Sequence, residues 1–387
     1  MPTAWGTIHS FGGQTEIGGD LAAIPREISA QRKRYSNLVG AGAFPESIFN
    51  NPVLFELIFD SALAGGEIEL NSWLKGYLQR RYGMVSPAVR QAWTLILRDV
   101  YTARRGDPIF AARPALTLDR ANAFAGFKSA DCPERFFPAW GALLAAADEG
   151  IDSEGFRFDV IDLGRQALSS LGQEQFQAVR NAFAGRDLVA FRKATNGFLA
   201  LMDDCDRLLA TRPEFCLAPW LLAARRCGKN EKEKKLYEFN ARLLITLWGP
   251  VSHPEPLSDY CCREQSGLLS DYYAIRWRKF FDFLENKLKC GEAYDDCDLP
   301  KCEGRILLEA NPFYKELFRF EQDFVGKTSD DNELAACCDN RGDELECAKM
   351  LYWRYSPISR TNSIPQNHGM QESDLLTGFK TEEEVVL

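Results

Sequence analysis

Apolar side chains recur at helical spacing through most of this chain. Leu70, Trp73, Leu74, Tyr77 and Leu78 form one stripe, and Val89, Trp93, Ile96, Leu97 and Val100 form a second after the turn at Ser86-Pro87. The pattern continues through residues 133–149, 159–184, 187–211, 231–248, 267–289 and 312–325. In the fifth of these, Leu269, Tyr273, Trp277, Phe280 and Leu284 share one face. Such stripes predict helices that turn an apolar side to a core. No fixed repeat length emerges, which predicts an irregular helical domain rather than a solenoid. From Ser356 onward Ser, Asn, Gln, Thr and Glu dominate without periodicity, so residues 356–387 read as a disordered tail.

Ahead of Asn51 the pattern changes to short apolar runs. The first, beginning at Trp5, ends in His9, Phe11 and the pair Gly12-Gly13. The second, SNLVGAGAFPESIFNN from Ser36 to Asn51, carries Gly40, Ala41 and Gly42 and breaks at Pro45, which delivers Glu46 just before a helix-like segment. A mixed polar segment separates them, the outline of a βα unit. Small residues suit a strand packed closely on its neighbours, and the C-terminal mouth of such a strand is where α/β barrels place their chemistry. Taken alone, each residue keeps a plainer reading: Glu46 as a helix cap, His9 as a satisfied structural histidine, and the tryptophans on helical stripes as core.

The two strand ends resemble those of the α-N-acetylglucosaminidases of glycoside hydrolase family 89, whose pattern is W-x-x-L-H-N-F-G-G followed by G-T-G-M-A-P-E-G. Trp73–Gly83 (WLKGYLQRRYG), Phe158–Gln166 (FDVIDLGRQ), Asn240–Pro250 (NARLLITLWGP) and Asp271–Lys279 (DYYAIRWRK) resemble further segments of that family in the same order. The resemblance runs from about Trp5 to about Arg354. It implies a mainly α chain: residues 1–65 as the last βα unit or units of an incomplete (β/α)8 barrel, and 66–355 as the irregular all-α C-terminal domain. It also implies that Glu46 is the catalytic nucleophile. Trp5, His9, Trp248, Leu257 and Tyr260 are the implied substrate-binding residues, with Trp5 packed beneath a sugar-facing His9. Arg276 and Trp277 match a family pair read here as structural.

The chain departs from the family at several positions. Ser10 stands for the family's Asn, and Gly13-Gln14-Thr15 replaces Gly-Gly-Asn-His, which removes hydrogen-bonding groups expected to position a sugar. Val251–Pro256 is longer than the usual spacing and is expected to displace Tyr260. A whole barrel takes about 250 residues, whereas 45 precede Glu46. The resemblance puts the general acid in a preceding part of the barrel, so a truncated or split enzyme is expected, with that portion lost or on another chain.

Composition narrows the classes. With 387 residues, 45% of them hydrophobic, the chain can bury a core of more than one domain. Its 46 basic and 55 acidic residues give a net charge of −9 and no basic stripe, which argues against a nucleic-acid partner. No run of 18 or more apolar residues points to a membrane span, and MPTAWGTIHSF has no signal-peptide pattern. No cofactor is implied. Oligomeric state is not legible.

Eight cysteines, Cys261, Cys262, Cys290, Cys297, Cys302, Cys337, Cys338 and Cys347, crowd into 87 residues. Likeness to lysosomal hydrolases makes disulfides formed on a secretory route the expectation, with localisation lysosomal or secreted by resemblance. Zinc and free thiols are the rivals. Adjacent pairs such as Cys261-Cys262 are poor zinc chelates, and no pair of CxxC motifs exists. The chain has no N-glycosylation sequon. The functional expectation is removal of terminal α-linked N-acetylglucosamine from heparan sulfate-type glycans by a retaining two-carboxylate mechanism. The alternative is a non-catalytic remnant or carbohydrate-binding helical domain.

Overall fold

The computed structural model describes residues 1–47, 50–102, 108–117, 135–149, 152–253, 258–302, 305–306, 310–337 and 342–356. It is mainly α, as expected. Strands β1 (Thr3–His9) and β2 (Leu38–Pro45) pair in parallel around helix α1 (Ala23–Arg34), with Trp5 opposite Ala41 and His9 opposite Pro45. This is the βα unit that the two apolar runs predict. Helix α2 (Pro52–Leu63) follows, with Pro52 in its first turn, where a missing N–H costs nothing. Helices α1 and α2 pack on each other and on β2.

The stripes downstream fold as helices. They are α3 (Leu70–Tyr82), α4 (Pro87–Leu95), α5 (Phe136–Ala146), α6 (Glu154–Ala184), α7 (Leu188–Leu209), α8 (Leu217–Arg226), α9 (Glu231–Ile245) and α10 (Ala274–Lys289). After a short antiparallel pair, β3 (Lys301–Cys302) and β4 (Arg305–Ile306), come α11 (Pro312–Gly326), α12 (Asp331–Ala336) and α13 (Glu344–Tyr355). Local chemistry sets several starts: Ser86 accepts from Val89 N at the head of α4, and Asn230 from Glu233 N at the head of α9. Stripe 89–100 ends in a π turn, Ile96–Val100, and stripe 267–289 begins with another, Leu269–Tyr273. The named stripes do not include α8, α12 or α13.

Helix α6 is the axis of the helical part. Buried nearly all round from Val160 to Gly172, it packs on α5, α7 and α13. A Cβ at Gly164 would lie 2.6 Å from the Trp140 indole, so only glycine lets α5 approach there. Around Trp277, Phe176, Phe198 and Phe281 pack edge-on or tilted with centroids 5.0–5.5 Å away, and the indole N–H donates to the Phe110 carbonyl at 3.1 Å. The stripe reading of Trp277 as core holds.

The same continuous core takes in Ile17, Leu21, Ile24, Val53, Leu54 and Leu57 from the βα unit. Ser356 closes α13 with its N–H on the Tyr352 carbonyl at 2.9 Å, while the rest of the expected tail lies outside the described residues. Among the described residues no helix is long and apolar enough to cross a membrane.

Candidate active site

Parallel pairing brings the C-terminal ends of β1 and β2 side by side, so the turn after His9 and the residue after Pro45 meet. Glu46 is exposed there, and two donors hold its carboxylate. Oε2 accepts from the Gly12 N–H at 2.6 Å, and Oε1 from the Tyr260 hydroxyl at 3.2 Å. The short N–H bond is of the charge-assisted kind. Each carboxylate oxygen has two acceptor sites, so both keep a lone pair for another partner.

Gly12 reaches Glu46 because it has no side chain. Its φ is +64°, and a Cβ would lie 2.8 Å from Cys261 Cα and from the Tyr260 ring and carbonyl. Nothing in the motif FGG by itself reveals that the glycine's amide is the Glu46 anchor. The spacing shows only a tight turn.

The opposite wall comes from the segment after α9. Trp248 adopts φ +51° just past the helix, its N–H on the Leu243 carbonyl at 2.8 Å, and its half-buried indole meets the Tyr260 ring edge-on at 5.0 Å. Despite the longer segment before it, Tyr260 stands beside both Glu46 and Trp248. Asp259 N donates to the Thr246 carbonyl at 2.8 Å, which closes the loop at its neck. Burial, with Glu46 beside it, pushes the Tyr260 phenol up to about 12. Leu257 lies outside the described residues.

Two expected sugar contacts sit elsewhere. His9 is 3% exposed; its Nε2 faces Asn51 Nδ2 at 2.9 Å and its ring meets Phe55 edge-on at 5.7 Å, both at the α2 side. Strand alternation explains this, because His9 shares its face with Trp5 and Thr7, the face that packs on the core. Trp5 lies four residues before the strand end, roughly 13 Å back at about 3.3 Å per residue. Neither reaches the Glu46 carboxylate.

The substituted turn is used by the protein itself. Ser10 donates to Asn50 Oδ1 at 2.8 Å and Gln14 Nε2 to the Tyr260 carbonyl at 3.5 Å. Thr15 Oγ1 accepts from Glu264 N at 3.1 Å, and Ile17 N donates to Gln166 Oε1 at 3.1 Å. Arg165, fully buried, donates to the Thr15 carbonyl and pairs with Glu264 at 2.7 Å and Asp162 at 2.9 Å. The segment FDVIDLGRQ thus holds the β1–α1 turn on the helical part.

The expected disulfides are not found among the described residues. Cys261, Cys290, Cys297, Cys337 and Cys347 are thiols. Cys261 donates to the Leu244 carbonyl at 3.0 Å and Cys262 to that of Asp259 at 2.7 Å, so these neighbours turn to separate backbone acceptors. Burial pushes the Cys261 thiol up to about 12. Cys290 and Cys337 sit exposed at the ends of α10 and α12. The side chains of Cys302 and Cys338 are outside the described set. No group of three or more His, Cys, Asp or Glu suited to a metal occurs among the described residues.

Comparison with known proteins agrees with this architecture. The family model for the alpha-N-acetylglucosaminidase (NAGLU) tim-barrel domain matches residues 1–64, and that for the NAGLU C-terminal domain matches 73–354. Alpha-N-acetylglucosaminidase of Homo sapiens is 32% identical over 368 residues, covering 92% of this chain and 45% of that protein. A family 89 glycoside hydrolase from Clostridium perfringens in complex with PUGNAc superimposes with a TM-score of 0.80 at 30% identity, over 94% of this chain and 40% of its own. A form of it with two glutamates changed to glutamine, in complex with its substrate GlcNAc-alpha-1,4-galactose, gives 0.80 at 30% identity over 93% and 40%. The chain spans less than half the length of these relatives. With both family models matched in chain order and the human relative aligned over 92% of this chain, the chain belongs to the α-N-acetylglucosaminidase (NAGLU) family.

Proposed function

We propose that this chain supplies the nucleophile and one wall of the pocket of a retaining α-N-acetylglucosaminidase. The observation that carries this reading is the Glu46 carboxylate: exposed at a parallel strand mouth, fixed by one backbone and one phenol donor, with acceptor sites left over. A retaining enzyme sets two carboxyl groups about 5–5.5 Å apart, one attacking the anomeric carbon and one protonating the leaving oxygen. Glu46 takes the first role. The general acid comes from barrel segments that the relatives carry ahead of the matched region, on the same polypeptide or a separate one.

Residues 1–65 then act as the barrel's closing βα unit, and 66–355 as the helical domain that presents Trp248 and Tyr260. A pyranose ring packs its C–H face on the Trp248 indole, and Tyr260 steers the nucleophile. The substrate class is a glycan ending in α-linked N-acetylglucosamine, of the heparan sulfate type, in a lysosomal or secreted setting.

The test pairs two preparations. The chain alone is expected to hydrolyse no chromogenic α-N-acetylglucosaminide, since general acid help is worth about 100 to 10,000-fold. Joined to the relatives' N-terminal barrel portion it should turn over, and Glu46→Ala should abolish turnover until azide is added, giving the β-glycosyl azide. A joined enzyme that tolerates Glu46→Ala sinks the nucleophile assignment. Turnover by the chain alone sinks the external acid.

A further inference from the structure

Tyr260 can hold Glu46 only if the turn before it is fixed, and that turn is an unfavourable one. Asp259 adopts φ +63°, a left-handed geometry uncommon for a residue with a Cβ, although aspartate and asparagine visit it more readily than most. Its surroundings are polar and buried. The Asp259 carboxylate forms a two-pronged pair with Arg276, Nη1 to Oδ1 at 2.6 Å and Nη2 to Oδ2 at 2.9 Å, and the same Nη2 donates to the Ala112 carbonyl at 3.1 Å. Asp259 is 3% exposed and Arg276 is fully buried.

Arg276 is itself immobilised. Its guanidinium lies 4.9 Å from the Tyr272 ring centre and 5.5 Å from that of Tyr273, and its neighbour on α10 is the core residue Trp277. The backbone of Asp259 is held at both ends: its N–H by the Thr246 carbonyl, its C=O by the Cys262 N–H at 3.1 Å and by the Cys262 thiol. A rigid path therefore runs from the core through Arg276 and Asp259 to the residue whose hydroxyl reaches Glu46.

We infer that Asp259 and Arg276 are positioning residues of the site: the buried pair locks the left-handed turn that aims the Tyr260 phenol at the Glu46 carboxylate. The catalytic meaning rests on Glu46 being the nucleophile, but the lock itself does not. A planar guanidinium matches a carboxylate through two parallel bonds, and lysine does not reproduce that geometry. Loss of either partner releases the turn, and the phenol swings from Glu46 to solvent. A pair that merely stabilised the loop would leave Tyr260 in place in every folded molecule.

The experiment reads the contact without any substrate. The whole chain is made with 3,5-difluorotyrosine at position 260, acidic enough to titrate near neutral pH, and its ionisation is followed by fluorine NMR. The groups acting on this phenol are Glu46 and Cys261, and with burial they hold Tyr260 above its ordinary value. Against the unaltered background, Glu46→Gln should lower the phenol's midpoint. Against Arg276→Lys, and separately Asp259→Asn, the midpoint should already match the free amino acid, and adding Glu46→Gln should change nothing. Thermal melts establish that each variant is folded at the temperature used, and Asp259→Asn carries the test if Arg276→Lys does not fold, since asparagine tolerates the left-handed turn. If the Glu46-dependent shift persists in a folded variant, the pair is only structural and the inference fails. An inactive joined enzyme would count against the nucleophile reading and leave this measurement intact.

Discussion

Trp277 and Phe44 are both large aromatic residues on regular elements, yet Trp277 is fully buried and Phe44 is 66% exposed. The contrast holds for their whole regions. In the helical part, Trp140, Phe110, Phe137, Phe156, Phe191 and Tyr314 are all at or below 2% exposure. In the βα unit one sheet face, with Trp5, Ala41 and Ala43, packs on the core, while Ile8, Val39 and Phe44 stand 56%, 73% and 66% exposed. The helical part closes its own core. The βα unit borrows half of one, and what joins it to the helices beyond apolar packing is polar: bonds from the β1–α1 turn, the Tyr260–Glu46 bond, and the α2–α3 contacts of Trp73 with Asp60 and Arg80 with Glu56.

The largest effect is expected at the buried ion pair behind that junction, whose Arg165 also donates to the Thr15 carbonyl. Arg165 and Glu264 are both fully buried and 2.7 Å apart. Removing one partner leaves the other charge buried and unpaired, which typically costs about 3–5 kcal/mol. Arg165→Met should destabilise the chain on that scale in urea titrations, with amide exchange in β1 and β2 rising more than in α6 or α7. Equal acceleration everywhere would show that the two regions unfold as one unit and that the contrast has no energetic meaning.

A smaller effect is expected at Gly12, where the regions meet at the site. An alanine there must adopt φ +64° with its Cβ 2.8 Å from the Cys261 backbone. Backbone strain of this type costs about 1–3 kcal/mol. Gly12→Ala should lose that much stability and, in the joined enzyme, lower kcat more than it raises KM, because the displaced amide no longer holds Glu46. Unchanged kcat would mean that Tyr260 alone sets the carboxylate.

How much of this is legible in the sequence divides along the same line. Helical stripes report burial directly, so Trp93, Trp277, Phe280 and Leu284 are identified as core by spacing alone, and all are buried. Glu46 is legible because a small-residue run broken by proline points to a strand mouth. Of the two readings of His9, the satisfied structural histidine is the one that period-two alternation favours, since it puts His9 with Trp5 on the packed face. Tyr260 and Asp259 depend on a backbone bond from Asp259 to Thr246 across a long loop, and no local pattern encodes a closure of that kind. The cysteines show the limit of counting. Cys261 and Cys262 are neighbours in sequence, yet their thiols go to carbonyls of different segments.

The smallest expected effect tests the bare face itself. Phe44 lies across from Ile8 and leans over Gly6, where a Cβ would meet its ring at 2.8 Å, but it touches little else that is buried. Phe44→Thr puts in its place a β-branched residue that is likewise suited to a strand, so the change removes exposed apolar area and almost nothing more. Substitutions away from packed features usually fall within about 0.5 kcal/mol, against about 3–5 kcal/mol for Trp277→Ala in the closed core. Chemical denaturation of both variants at two protein concentrations measures the difference. If Phe44→Thr costs more than about 1.5 kcal/mol, and the loss grows with protein concentration, the face is covered in solution by a second copy of the chain. In that case the exposed strand face would be an interface, and the two regions would differ in what covers them rather than in whether they are covered.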